Sequence, residues 1–383
     1  MHTHPAHTHP ANPTWRSLST GLLGAVLLGL AACGGGGGGT SAPPPPPPTY
    51  QVTSLVSDQA TAGATTDTNL VNPWGLAYGP TTRFWVANQG TATATVYDGL
   101  GQPLATPLVV SDPLAAGRVV GGPTGMVFNA STGFQGDIFI MASLDGCISG
   151  WSAGTTVTRR VDHSASGAIY TGLAQGTSAS ATYLYAANLA GGTIDMFDAA
   201  YAPVTLAAGA LVDPTLPAGY SPYNVQVLGG KLYVTYAQYT AGNPRETTGA
   251  GLGIVSVFNL DGTFVQRFAT GGSLNAPWGL ALAPASFGPF GGALLVGNFG
   301  DGRITAYNAA TGALMGQLMG PTGTPLTISG LWGLAFGNDT SAGKSTQLYI
   351  AAGPQGQTHG LFATISYGAT GTGGGTGGGP YGY

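Results

Sequence analysis

The sequence predicts an all-β fold, a six-bladed β-propeller with four strands per blade, and two observations predict it. The first is a repeated phrase. Pro73-Trp74-Gly75-Leu76-Ala77, Pro277-Trp278-Gly279-Leu280-Ala281 and Leu331-Trp332-Gly333-Leu334-Ala335 carry it closely. Weaker copies stand at Pro123-Thr124-Gly125-Met126-Val127, Tyr170-Thr171-Gly172-Leu173-Ala174 and Pro222-Tyr223-Asn224-Val225-Gln226. The third positions, Gly75, Gly125, Gly172, Asn224, Gly279 and Gly333, are spaced by 50, 47, 52, 55 and 54 residues. A sustained period of this size marks a repeat architecture. The second observation is what each period contains: short apolar runs bounded by Gly, Pro, Asn and Asp, which read as strands. Beyond the N-terminal segment, Gly and Pro recur too densely for a sustained helical pattern.

The unit from Ala276 is the clearest. Its runs are Trp278 to Leu282, Ala293 to Val296, Arg303 to Tyr307 and Leu314 to Leu318. The second runs of the six units, such as Phe84-Trp85-Val86-Ala87 and Leu348-Tyr349-Ile350-Ala351, are apolar on both faces. Middle strands packed between neighbouring blades need that pattern. Third runs end in an aromatic and a turn, as at Val96-Tyr97-Asp98-Gly99, where the Asp-Gly pair suits a tight hairpin. The last unit ends near Tyr367 after three runs. The strand-like segment Gln51 to Val56 therefore supplies the missing outer strand, burying Val52, Leu55 and Val56 and closing the ring. Closure is required because an open ring leaves two apolar blade faces in water. With charged residues at only 6%, the chain has few means to solvate such faces.

The ends differ in composition from the repeats. Residues 1–32 read as a signal peptide: Gly21 to Ala32 is an apolar stretch of twelve residues, too short to span a bilayer but within the range of a signal core. Leu30-Ala31-Ala32-Cys33-Gly34 resembles the bacterial lipobox, which implies lipidation of Cys33. Residues 33–49 form a Gly- and Pro-rich tether, 50–368 the propeller and 369–383 a Gly-rich tail without a packed core. The expected location is a bacterial cell envelope, lipid-anchored at the outer membrane and facing periplasm or exterior. Without residues 1–32 the chain keeps nine Lys plus Arg against fourteen Asp plus Glu, a net charge of −5. That balance argues against nucleic acid as a partner. A monomer is expected. Cys147 is the remaining cysteine, so packing rather than a disulfide holds the ring.

A family resemblance rests on Leu70-Val71-Asn72-Pro73-Trp74-Gly75, Lys231 to Ala237, Gly249 to Gly253, Leu274 to Ala281 and Leu295 to Gly302. These segments resemble an uncharacterised bacterial family of exported, NHL-type β-propeller proteins. The resemblance covers residues 50 to 368 and implies fold and export without a mechanism. More distantly the blades resemble those of streptogramin lyase-type propellers, with Asn88, Asn188 and Asn298 where NHL repeats commonly carry Asp.

In such a ring the loops from second to third strand share a face with the loops entering the first strand. That channel face collects Asn72, Asn88, Asp145, Asn188, Asn224, Asn275, Asn298 and Asp301 as candidate binding residues. Their oxygens suit a hard cation, and calcium through Asn88, Asn188, Asn298 and Asp301 is one reading. The other is that they cap strand ends and make Asx-turns. The long loop Gln238 to Gly251 brings the neighbouring charges Arg245 and Glu246, a lid or partner contact. No familiar catalytic motif occurs, and the propeller holds one glutamate, Glu246, and two histidines, His163 and His359. The chain reads as a propeller that binds a ligand or protein partner through its channel face. The alternative is an enzyme at the central channel, a metal-assisted hydrolase of the lactonase type or a lyase.

Overall fold

A backbone irregularity repeated six times sets the geometry of the ring. In every blade the pairing of the first two strands slips within the repeated phrase, between Pro73 and Leu76, Pro123 and Met126, Tyr170 and Gly172, Pro222 and Asn224, Pro277 and Gly279, and Leu331 and Leu334. Such a bulge bends its strand and re-aims the neighbouring side chain. The structure is a computed structural model. It describes residues 49–60, 64–179 and 181–368, all inside the unit Pro45–Tyr383.

Blade 1 orders Pro73–Ala77, Phe84–Asn88, Thr93–Tyr97 and Val109–Ser111 from the axis outward. Blade 2 has Pro123–Phe128, Phe139–Ser143, Cys147–Trp151 and Thr158–Asp162. Blade 3 has three strands, Tyr170–Ser178, Ala181–Asn188 and Thr193–Phe197. Its fourth position is held by a fragment: Pro203 bridges Phe197, and Val204 N donates to Met196 O at 2.8 Å. Pro203 lacks the N–H that would extend this pairing. Blade 4 has Tyr220–Leu228, Lys231–Gln238, Ile254–Phe258 and Phe264–Thr270. Blade 5 has Pro277–Leu282, Ala293–Asn298, Ile304–Asn308 and Leu314–Gln317.

Blade 6 closes the ring as the sequence predicts. Leu331–Phe336, Leu348–Ala352 and Leu361–Gly368 are followed in the sheet by Thr49–Ser57, antiparallel to the third strand with Thr49 opposite Gly368 and Val52 opposite Ile365. The buried contributions are not those read from the sequence. Val56 is fully buried, but Val52 is 38% exposed, and Tyr50 supplies the large buried side chain. Tyr50 seals the neighbouring blade too: its hydroxyl donates to Phe287 O at 3.0 Å, and its ring stacks on Phe290. Strand alternation does not account for the difference, since Tyr50 and Val52 stand two residues apart on one face; Tyr50 is covered by the Phe287 and Phe290 rings of the neighbouring blade.

Between blades the second strands present both faces to apolar neighbours. Phe84, Tyr97, Tyr349 and Phe362 pack at the seam of blades 6 and 1, and Trp85, Phe139 and Trp151 at that of blades 1 and 2. Full burial of one such side chain contributes about 1.5–3 kcal/mol, which is how the ring holds together with so few charges. One hairpin departs from the expected turn chemistry. After Asp98 the positive φ falls on Gly101, while Gly99 is required because a Cβ there would stand 2.2 Å from Gly343 Cα.

Candidate functional site

The inner strands run in one direction along the axis, so equivalent repeat positions meet in layers. The first layer is aromatic. Trp74 and Trp332 stack at 3.6 Å between ring centres, and Trp278 meets each edge-on at 5.9 Å. All three are buried, and Tyr223, Leu144 and Leu189 complete the layer. Trp278 Nε1 donates to Thr171 O and Trp332 Nε1 to Asn72 Oδ1, each at 2.9 Å. Among the described residues Trp74 Nε1 has no hydrogen-bond partner. The tryptophans thus stopper the channel at one end, called upper here.

The second layer is the repeated glycine. A Cβ on Gly75 would lie 2.4 Å from Thr124 O, on Gly125 2.1 Å from Leu173 N, on Gly279 2.4 Å from Trp332 O, and on Gly333 2.5 Å from Trp74 O. Adjacent inner strands touch here through backbone, so the position excludes any side chain. The single exception is Asn224, whose Nδ2 donates to Trp278 O at 2.7 Å on one side while its Oδ1 lies where a Gly172 Cβ would fall on the other. Its amide bridges blades 3 and 5.

Below this waist the channel widens into a cavity of about 420 Å³, walled by Leu76, Met126, Leu173, Val225 and Leu334, with Trp278 at its roof. Gln175 and Gln226 add amides, and Tyr78, Phe128 and Phe336 stand at the lower rim. Each inner strand is the edge of its sheet. Its unpaired N–H and C=O groups therefore face the cavity. Among the described residues Tyr78 is the one titratable side chain of the lining, and burial raises its hydroxyl above the ordinary phenol value.

Above the tryptophans lies the tip of the Gln238–Gly251 loop. The Arg245 guanidinium stands 5.5 Å from the Phe299 ring centre, 5.7 Å from Trp74 and 5.8 Å from Trp332. Arg245 Nη1 donates to Gln357 Oε1 at 2.7 Å, and its Nε and Nη2 both reach the Glu246 carboxylate at 3.2 Å. Burial works against the Arg245 charge, but Tyr223 and Glu246 outweigh it and hold the guanidinium above its ordinary pKa. Burial, and then the charge of Glu246, hold the Tyr223 hydroxyl well above its own. Gln357 takes φ +71° to present its oxygen, a conformation costing a non-glycine residue roughly 1–3 kcal/mol.

The other sequence candidates have definite partners. Asn72, at φ +46°, also donates from Nδ2 to Gln89 Oε1 at 2.7 Å and Gln357 Oε1 at 3.2 Å. It thereby joins the Arg245 network. Asn88 donates to Thr95 Oγ1 at 2.9 Å inside blade 1, and Asn188 to Asp195 Oδ2 at 3.0 Å inside blade 3. Asn275 Oδ1 accepts from Gly249 N at 2.7 Å, which anchors the base of the loop, and Asn298 donates to Ser273 O at 2.7 Å. Asp301 makes an Asx-turn with Arg303 N at 3.1 Å. Asp145 accepts from Ala115 N at 2.7 Å and from Ser143 Oγ. Among the described residues no three His, Cys, Asp or Glu side chains group as metal ligands.

The histidines lie on different blades with different partners. His359 Nδ1 is 2.7 Å from Asp58 Oδ2, on the same loop as Gln357. His163 Nδ1 is 2.7 Å from Tyr170 Oη, which donates to Asp195 at 2.8 Å. Asp58 and Gln357 escape a sequence reading because closure of the ring brings them to the upper mouth, whereas Tyr223 stands at the tryptophan position of the repeated phrase. One further acid is conspicuous by its burial. Asp112, 4% exposed, accepts from Ser149 Oγ at 3.0 Å, and its Oδ2 has no partner among the described residues. Burial, and then the Asp145 charge, push its pKa up to about 7.

No family model matches the chain. Uncharacterized protein R648 of Acanthamoeba polyphaga mimivirus is 34% identical over 303 residues, covering 75% of this chain and 74% of that protein. Uncharacterized protein L690 of the same virus is 30% identical over 340 residues, covering 83% and 86%. Among solved structures, a structural-genomics protein of unknown function from Bacteroides thetaiotaomicron VPI-5482 superimposes with a TM-score of 0.55 at 10% identity, over 84% of this chain and 76% of that one. That likeness is one of fold. The viral relatives correct two expectations. The propeller stands, but its assignment to a bacterial exported family does not, because these relatives are proteins of a virus. The bacterial envelope location, with its lipid anchor at the outer membrane, falls with it. Residues 1–48, with the signal segment and Cys33, and the 369–383 tail lie outside the described residues.

Proposed function

The chain belongs to the family of the mimivirus proteins R648 and L690, and we propose that it is a binding propeller whose lower channel cavity holds a small neutral ligand. The cavity carries this reading. At about 420 Å³ it falls within the roughly 300–1,000 Å³ of small-molecule sites. Its walls are aliphatic with a few amides, and the inner strand edges add backbone donors and acceptors. A slim molecule with an apolar body and two or three hydrogen-bonding groups fits that chemistry. A hydrolase or lyase needs a base or nucleophile at hand, and Tyr78, with its raised pKa, is poorly suited to act as a base at neutral pH.

The test is titration of the purified protein with a neutral apolar dye, followed by tryptophan fluorescence, since Trp278 roofs the cavity. The expected result is saturable binding of one dye per chain. Gln226 lines the cavity and is only partly buried. Gln226→Trp should therefore weaken binding by about tenfold or more, some 1.4 kcal/mol, without lowering the melting temperature. Non-saturable binding, or a Gln226→Trp protein that binds like wild type, counts against the cavity as the site.

A further inference from the structure

The loop tip turns its charges inward, toward an aromatic floor, although the four residues before Arg245 are exposed. A bend at Pro244–Arg245 lets the neighbouring Arg245 and Glu246 side chains converge on one spot above Trp74, Phe299 and Trp332. The acceptor is the deep partner: the Glu246 side chain is 3% exposed and that of Arg245 36%. The stacked rings of Trp74, Trp332 and Phe299, with the Glu246 carboxylate and the Gln357 amide oxygen beside them, form the complement of a planar cation. The Arg245 fit is imperfect. Both contacts to Glu246 are 3.2 Å, longer than the ~2.7–2.9 Å of good charge-assisted bonds. Trp74 Nε1, buried in the same cluster, is left without a partner among the described residues.

We propose that the upper mouth is a guanidinium-binding site, filled by Arg245 in the resting protein and taken over by an arginine side chain of a partner peptide. Thr247 N donates to Gln238 O at 2.7 Å at the neck of the tip, beyond which residues 241–244 are exposed and Gly242 takes φ +89°. An incoming arginine, free of the geometry that ties Arg245 to its sequence neighbour, closes on Glu246 at full strength. The net charge of −4 favours the approach of a basic peptide. This site lies across the tryptophan layer from the cavity proposed above and stands independently of it.

The probes are two blocked tripeptides, Gly-Arg-Gly and Gly-citrulline-Gly, which differ in charge and hardly in shape. Binding is read by calorimetry and by the fluorescence of the upper tryptophans. Removing the internal occupant with Arg245→Ala should tighten binding of the arginine peptide at least tenfold over wild type and leave the citrulline peptide unbound. Arg245→Met, which keeps the apolar stem over the rings, should do the same and covers a failure of the alanine variant to fold. Adding Glu246→Gln to either should loosen the arginine peptide by at least tenfold. The proposal is overturned if neither folded variant binds the arginine peptide more tightly than wild type, or if the two peptides bind alike.

Discussion

Trp332 donates its indole N–H to Asn72 Oδ1 at 2.9 Å, joining the sixth blade to the first across 260 residues of sequence. The bond lies at the seam where the ring closes, and Asn72 reaches it by taking a left-handed conformation. Asn72→Ala should cost about 1–3 kcal/mol for the indole left unpaired, plus roughly 1–2 kcal/mol for the conformation. Asn72→Gly loses the same bonds but adopts the left-handed conformation freely, and should lose clearly less. Denaturant titrations of the two variants check the order; equal losses would show that the conformation contributes nothing.

The closing strand gives a second prediction. Tyr50 is buried, donates to Phe287 and stacks on Phe290. Tyr50→Ala should cost about 3–5 kcal/mol, the range for a buried aromatic, and removing residues 49–57 should abolish cooperative melting. Val52→Ala, at an exposed position of the same strand, should melt within a degree or two of wild type. If a chain lacking 49–57 stays soluble and melts cooperatively, the ring does not need its clasp.

How far the sequence discloses this molecule can be judged at the waist. The repeated Gly is legible as a period, and the period gives the blade number. Its reason is not legible: each glycine is fixed by backbone from the next blade, which local pattern does not report. Asn224, the exception, reads as a degenerate repeat but is an amide linking blades 3 and 5. Candidate Asn and Asp residues fall mostly on strand ends, as the pattern suggests, while the partners that matter at the upper mouth come from elsewhere. Asp58 and His359 are 301 residues apart, and Arg245 and Gln357 are 112 apart. Pairings of that separation follow from closure, not from any local signal.

The waist supplies the third prediction. Gly125→Ala puts a Cβ 2.1 Å from Leu173 N and 2.6 Å from Gly172 C, against the backbone of the next blade. It should destabilise by 3 kcal/mol or more, at the upper end of the roughly 1–3 kcal/mol typical of overpacking. Gly136→Ala meets nothing within 4 Å and only forces alanine to φ +77°. It should cost about 1–2 kcal/mol. Thermal melts of the pair separate crowding from conformation, and a milder effect at 125 than at 136 would contradict the layered packing.

A fourth prediction concerns acidity. Asp112 titrates near 7 in the folded protein and near its ordinary 3.8 when unfolded. Between those values the folded state holds a proton that the unfolded state has lost. Stability should therefore fall as pH rises from about 4 to about 7, by an amount on the order of a few kcal/mol. Asp112→Asn keeps the oxygen facing Ser149 and removes the titration. Its stability should change less over that window and exceed wild type at pH 8. Parallel slopes for the two proteins would place the titration elsewhere.

The pairing of Thr49 with Gly368 has a consequence for how the protein is made. The strand that must dock last leaves the ribosome first. Throughout translation it waits as an unpaired edge while five blades assemble behind it, and its own blade exists only once Leu361–Gly368 has emerged. An edge left open that long is the feature by which one nascent chain captures another. The cell that makes this protein must either shield that first strand or complete the chain quickly, and conditions that slow translation should lower its soluble yield before they lower its amount.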